Sequence, residues 1–133
     1  MIMEPVWKSL IAQTVKPIFT LEQCQDIINV GHQQKAQDAK VGHREDRGGK
    51  YDTKMRITTI SWIPFKVMPE MYNIIEHSML QANRNHFGYE GMTITEYAQF
   101  TEYPKGGFYD WHMDAEANCR FEPPVRKVSM TLL

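Results

Sequence analysis

At 133 residues and 42% hydrophobic content, the chain has the size and apolar fraction of one domain built on one core. Fifteen Lys and Arg against sixteen Asp and Glu leave a formal net charge of -1, which excludes a global pull toward nucleic acid or anionic membrane. Two cysteines, Cys24 and Cys119, an acidic Glu4 where a secretory leader would be basic, and no apolar run near the roughly 20 residues of a membrane span lead us to expect a soluble, cytoplasmic protein with no nucleic-acid or membrane partner.

In chain order, Trp7 to Val15 is rich in apolar and β-branched residues and is expected as a strand of imperfect alternation. Thr20-Leu21-Glu22-Gln23 fits a capping box; Leu21, Cys24, Ile27 and Ile28 follow at helical spacing, so a helix is expected over Leu21 to Gln34. From Lys35 to Lys54 the sequence turns polar, with Gly42, Gly48 and Gly49 among charged residues, which implies a long loop suited to a lid or binding role. Arg56 to Ile63 is β-branched, closes on Pro64 and reads as one strand.

Pro69 suits a first helical position, and Met71, Ile74, Ile75, Met79 and Ala82 recur at helical spacing until Gly88. Met92 to Tyr103 reads as a long strand with Ile94, Ala98 and Phe100 on one face and Thr95, Tyr97, Gln99 and Tyr103 on the other. Pro104 to Gly107 is a turn, Phe108 to His112 a strand, Ala115 to Pro124 a loop and Arg126 to Leu133 an alternating strand. Helices first and consecutive antiparallel-type strands afterwards favour an α+β fold.

His112 and Asp114 stand two apart at the end of an expected strand, where the period of two places an imidazole and a carboxylate on one face. Two His and one carboxylate make a facial triad that leaves positions open on iron(II), and this pair supplies two of its corners. By itself His-x-Asp carries little, because it arises by chance about 0.2 times in such a composition, and a surface hydrogen-bonded pair is the plainer explanation. His32, His43, His77 and His86 fall on helices or loops and are expected at the surface.

The surroundings are more specific. Tyr103-Pro-Lys-Gly-Gly-Phe-Tyr109-Asp-Trp-His112-Met-Asp114, followed after a loop by Arg126-Lys127-Val128-Ser129, resembles the core motif of prolyl 4-hydroxylase-like oxygenases. Weaker resemblance extends back through Gln99-Phe100, Arg56-x-Thr58 before Trp62, and the helix start at Thr20. It implies a double-stranded β-helix, or jelly-roll, with N-terminal supporting helices. It also implies an Fe(II)- and 2-oxoglutarate-dependent dioxygenase, with ascorbate as accessory reductant. Such an enzyme oxidises 2-oxoglutarate to succinate and CO2 with oxygen while hydroxylating a protein or peptide side chain or a small molecule.

Carried over residue by residue, the resemblance makes His112 and Asp114 metal ligands, Tyr103 a hydroxyl donor to 2-oxoglutarate and Tyr109 a wall of the co-substrate pocket. Arg56 and Thr58 match an element beside the substrate channel, which makes Gly42 to Lys54 a candidate flap. Read from the residues alone, Tyr103 and Tyr109 are equally ordinary sheet aromatics and Arg56 a plain strand residue.

The family pattern continues to a second His and then an Arg or Lys, and neither has a counterpart after Asp114 in this sequence. Residues 1–133 are therefore expected to be a single oxygenase domain cut at its C-terminal side, whose last strand exposes an open sheet edge suited to self-association. A half that assembles with another chain, or a catalytically incomplete module used for binding or assembly, are the alternatives. A zinc hydrolase lacks a third ligand as well.

Overall fold

The computed structural model describes residues 11–39, 52–112, 114 and 126–133. The expected flap before Asp52, the loop of Ala115 to Pro124 and Cys119 lie outside the described residues. The chain divides into two compact units, Met1–Asn29 with Pro64–Glu96 and Val30–Ile63 with Tyr97–Leu133. Helices and small antiparallel sheets make it α+β. Among the described residues no helix is long and apolar enough to cross a membrane.

Helix α1, Leu21–Gln33, begins as the sequence expects. Two N–H groups that a helix start leaves without partners are satisfied reciprocally: the Gln23 amide donates to Thr20 Oγ1 at 3.2 Å and the Thr20 amide to Gln23 Oε1 at 2.8 Å. The apolar residues that announced the helix are not its contact, however. Leu21 is 90% exposed, Cys24 and Ile28 are exposed, and Gly31 is the buried position. Upstream, Ile11 to Val15 forms no strand and Val15 is fully exposed. β-branched content is a fit to a half-buried pleated surface, and these residues have no such surface to join.

In the first unit α2, Pro69–Ala82, buries Met71, Tyr72 and Ile75, and Phe65 packs edge-on against Tyr72 with ring centroids 4.6 Å apart. A π-helical turn, Asn83–Phe87, follows and ends at Gly88, whose φ of 70° is the left-handed region that glycine enters without a side-chain clash. Buried Asn83 closes this corner by donating Nδ2–H to the Tyr89 carbonyl at 2.8 Å and accepting the Tyr89 amide on Oδ1 at 2.9 Å. Met92 and Ile94, expected in a strand, instead line a small slot with Met79 and Leu80 of α2. Apolar burial against the helix replaces a sheet pairing there.

The strands among the described residues all fall in the second unit: β1 Gln37–Asp38, β2 Arg56–Ile57, β3 Thr59–Ile63, β4 Ala98–Glu102 and β5 Phe108–Tyr109. They form a sheet of order β1-β3-β4 and a two-stranded sheet of β2 with β5, every pairing antiparallel. The single strand expected over Arg56 to Ile63 is thus two, because Thr58 interrupts the pairing and its carbonyl accepts the Ala39 amide at 3.0 Å. Beyond Thr58 the chain changes partner, from β5 to β1 and β4. The polar stretch from Lys35 also contains β1, which its composition conceals.

Register assigns faces. Ser61 lies opposite Phe100 and Thr59 opposite Glu102, so these side chains share one face, while Trp62 and Gln99 share the other. The last turn of α1 sits on the first face. The Gly31 carbonyl accepts Ser61 Oγ–H at 2.9 Å, and the Phe100 ring is so close that a Cβ on Gly31 would stand 2.5 Å from its Cγ. His32 meets the same ring edge-on at 5.4 Å and pairs with Glu102 at 2.9 Å. His32, His77 and His86 are at least partly exposed, while His43 lies outside the described residues. Two further expected strands are shorter or absent: the one from Phe108 ends at Tyr109, and Arg126 to Leu133 joins no ladder among the described residues, for an alternating pattern needs a neighbouring strand to become one.

Gly31→Ala is expected to destabilise the second unit by about 1–3 kcal/mol through overpacking against Phe100. Phe100→Leu in the same chain should relieve part of that loss. Denaturant midpoints of the two single variants and the double variant measure both effects, and a neutral Gly31→Ala contradicts the packing.

Candidate functional site

The turn Pro104 to Gly107 delivers β5 onto β2. Gly106 has a φ of 79°, the Gly107 amide closes on the Pro104 carbonyl at 2.6 Å, and a Cβ on Gly107 would lie 2.7 Å from the Ile57 carbonyl oxygen. Only a residue without a side chain passes there. The resulting ladder places Tyr109 opposite Arg56 and Phe108 opposite Ile57, and the Asp110 amide extends it to the Met55 carbonyl at 2.8 Å.

Cross-strand placement explains the first contact. Arg56 is 9% exposed, with its Cζ 4.3 Å from the centroid of the Tyr109 ring, a cation–π contact. Its Nε donates to Thr58 Oγ1 at 2.7 Å and its Nη2 to Gln99 Oε1 at 3.0 Å. Arginine only donates, so the Gln99 oxygen must face it, and that oxygen also accepts Thr101 Oγ1 at 3.3 Å. The hydroxyl, amide oxygen and ring that meet this buried cation are all neutral, and among the described residues no carboxylate pairs with it.

Tyr109 carries the second contact on the same ring. His112 stacks on it with centroids 3.5 Å apart and planes at 13°. Its Nδ1 lies 2.7 Å from the Asp110 carbonyl oxygen and its Nε2 3.1 Å from Asp114 Oδ1. Arg126 Nη1 donates to the Asp114 carbonyl at 2.6 Å, which ties the backbone that carries the carboxylate.

The protonation logic follows from the acceptors. A carbonyl cannot donate, so Nδ1 holds the hydrogen, and a neutral ring then turns the lone pair of Nε2 toward the lone pairs of a carboxylate. Two acceptors that close need positive charge between or on them, either a proton on Nε2 or a metal ion. Ligands each about 2.1 Å from a metal and at right angles to one another stand about 3.0 Å apart. The observed 3.1 Å separation fits that geometry, and a backbone carbonyl on the far nitrogen is the usual support of a metal-bound histidine.

No protein-family model, curated protein or solved structure matches the chain.

Of the residues singled out in the sequence, Arg56, Thr58, Tyr109, His112 and Asp114 come together in this linked set. Tyr103, 55% exposed just before the turn, is not joined to the set by a hydrogen bond or ring contact among the described residues. His112 and Asp114 face each other although β5 has already ended at Tyr109, so a stacked ring and a backbone carbonyl align them where strand pleating was expected to. Among the described residues no group of three or more His, Cys, Asp and Glu converges as a metal site. Sequence reasoning missed three participants. Gln99 appeared only as part of a motif; the Asp110 carbonyl belongs to the backbone and leaves no compositional trace; Arg126 was read as the start of a strand.

Thr58→Val should cost about 1.5–3 kcal/mol, because it removes the acceptor of a buried charged donor while keeping the side-chain volume. Combined with Arg56→Met, the loss should fall well short of the sum of the two single losses. Additive losses in urea unfolding would mean that the two groups are not coupled.

Proposed function

We propose that His112 and Asp114 are two protein ligands of an Fe(II) ion in a 2-oxoglutarate-dependent oxygenase of the prolyl 4-hydroxylase-like kind, built on a double-stranded β-helix. The single observation that carries the metal assignment is the opposed Nε2 and Oδ1 at 3.1 Å with Nδ1 already engaged by a backbone carbonyl. The oxygenase assignment rests on the motif around the pair, and two antiparallel sheets joined by a strand that changes partner at Thr58 are compatible with a jelly-roll.

When bound, iron with 2-oxoglutarate supplies the oxygen activation that hydroxylates an unactivated carbon while 2-oxoglutarate becomes succinate and CO2. This chain's residues bind and orient. Nε2 and Oδ1 hold the metal, the Asp110 carbonyl fixes the imidazole tautomer, Tyr109 covers one face of the ring, and Arg126 restrains the Asp114 backbone. Tyr103 is assigned to hydrogen-bond the co-substrate from the turn edge. Substrates are C–H groups of a peptide side chain or small molecule.

With two ligands, Mn(II) under anaerobic conditions is expected to bind weakly, more tightly when 2-oxoglutarate or free imidazole occupies the remaining positions. His112→Ala and Asp114→Ala should each weaken it at least about tenfold. Calorimetry and electron paramagnetic resonance read the affinity. Binding that survives both substitutions unchanged places the metal elsewhere and overturns the assignment, and absence of binding by the unsubstituted chain leaves a sheet module without a metal role.

A further inference from the structure

The first unit contains a recess that the metal assignment does not use. Its volume is about 200 Å³, and Phe65, Tyr72, Asn73, Glu76 and Ile94 line it. Pockets for drug-sized ligands begin at roughly 300 Å³, so this one suits a single functional group. One side is an aromatic corner, where the rings of Phe65 and Tyr72 meet at 62° with centroids 4.6 Å apart. Phe65 is held in a turn that the Val67 amide closes on the Pro64 carbonyl at 3.0 Å, and Tyr72 is buried near the start of α2. Glu76 lies one helical turn beyond Tyr72, on the same face of α2. It is half-buried, and among the described residues its carboxylate has no hydrogen bond or ion pair. Glu76 also borders the narrower slot, of about 20 Å³, that Met79, Leu80 and Met92 form with Ile94.

We propose that this recess binds an alkylammonium head group, with Glu76 as counter-charge, the Phe65 and Tyr72 corner as aromatic wall and the methionine-lined slot as the seat of one methyl or methylene group. The lining singles out an organic cation. An anion would meet an uncompensated carboxylate, and a neutral apolar group would strip water from that carboxylate and return nothing. A metal ion needs several ligands, and among the described residues no three His, Cys, Asp or Glu groups converge. An alkylammonium group answers every part of the lining: its charge pairs with Glu76 and is attracted to an aromatic face, while its carbons bury against adaptable thioethers. The slot has room for about one water-sized group, which matches a methyl. Asn73 can turn its amide oxygen to a primary ammonium N–H. The head group belongs either to a free amine or to a lysine side chain, and the recognition chemistry is the same. None of these residues takes part in the His112 and Asp114 site, so the proposal stands or falls independently of the oxygenase assignment.

The test uses the whole chain with 13C-labelled isoleucine methyl groups and follows the Ile94 signal by NMR. The probes are choline, Nα-acetyllysine amide, and the neutral isostere of choline in which a carbon atom replaces the nitrogen. A saturable shift with choline or the lysine derivative, tighter than with the isostere, is the expected result, and the tighter of the two cations identifies the source. Glu76→Gln keeps the shape and removes the charge, so it should weaken cation binding at least about threefold and leave the isostere unaffected. Phe65→Leu should weaken the cation by a similar factor. An Ile94 signal that neither cation moves overturns the proposal on the unsubstituted protein alone. So does an isostere that binds as tightly as choline, which reduces the recess to an apolar groove. Unchanged cation affinity in a Glu76→Gln chain that keeps its native spectrum overturns it as well.

Discussion

The candidate site depends on one buried cation and the ring beside it. Placing Arg56 opposite Tyr109 in a two-stranded pairing turns a local ladder into a three-layer contact of guanidinium, phenol and imidazole. The ladder itself exists because Gly106 and Gly107 let the chain return against Ile57. Arg56 also reaches out of its own sheet to Gln99, so β2 and β4, which share no ladder, are held by a side chain where backbone pairing is absent. Remove the cation and both the orientation of Tyr109 and the link to β4 lose their cause.

Among the described residues of the second unit two histidine–carboxylate pairs occur, and their differences are instructive. His32 and Glu102 are 70 positions apart, meet at 2.9 Å and lie against the Phe100 ring on the helix-covered face. Among the described residues no hydrogen bond engages the other nitrogen of His32, so the tautomer that places its proton toward the carboxylate makes an ordinary hydrogen bond. His112 has no such freedom, since Asp110 claims Nδ1. The same two functional groups thus differ in what surrounds them: in the second pair a backbone oxygen already engages Nδ1, so closing the Nε2–Oδ1 contact takes a second proton or a metal ion.

Local chemistry was legible in the sequence and pairing was not. Thr20 and Gln23, Pro69 and Gly88 mark helix ends through short-range hydrogen bonds and backbone preference, and they were readable because their partners sit within a few residues. Strand limits depend on which distant segment arrives. Nothing in Arg56 to Ile63 announces that Thr58 changes partners, and nothing in Met92 to Ile94 announces that a slot against α2 takes the place of a sheet. The His112 and Asp114 pair was found through its motif, whereas the carbonyl and the stacked ring that aim it required coordinates. The role of Arg56 was half visible: its spacing from Thr58 suggested a functional element, but its burial against Tyr109 with no carboxylate partner among the described residues is a fact about space.

Asn83 closes the corner after α2 by acting as a surrogate peptide group, giving and taking one hydrogen bond with the same residue, Tyr89. Such mimicry depends on the amide having two unlike ends. Hydrolysis to aspartate during ageing of the protein would keep the acceptor and convert the donor into a second oxygen facing the Tyr89 carbonyl, so one attraction would become a repulsion inside a buried corner. The chain thus carries a position at which the addition of one oxygen and loss of one nitrogen would act as a clock on the first unit's integrity.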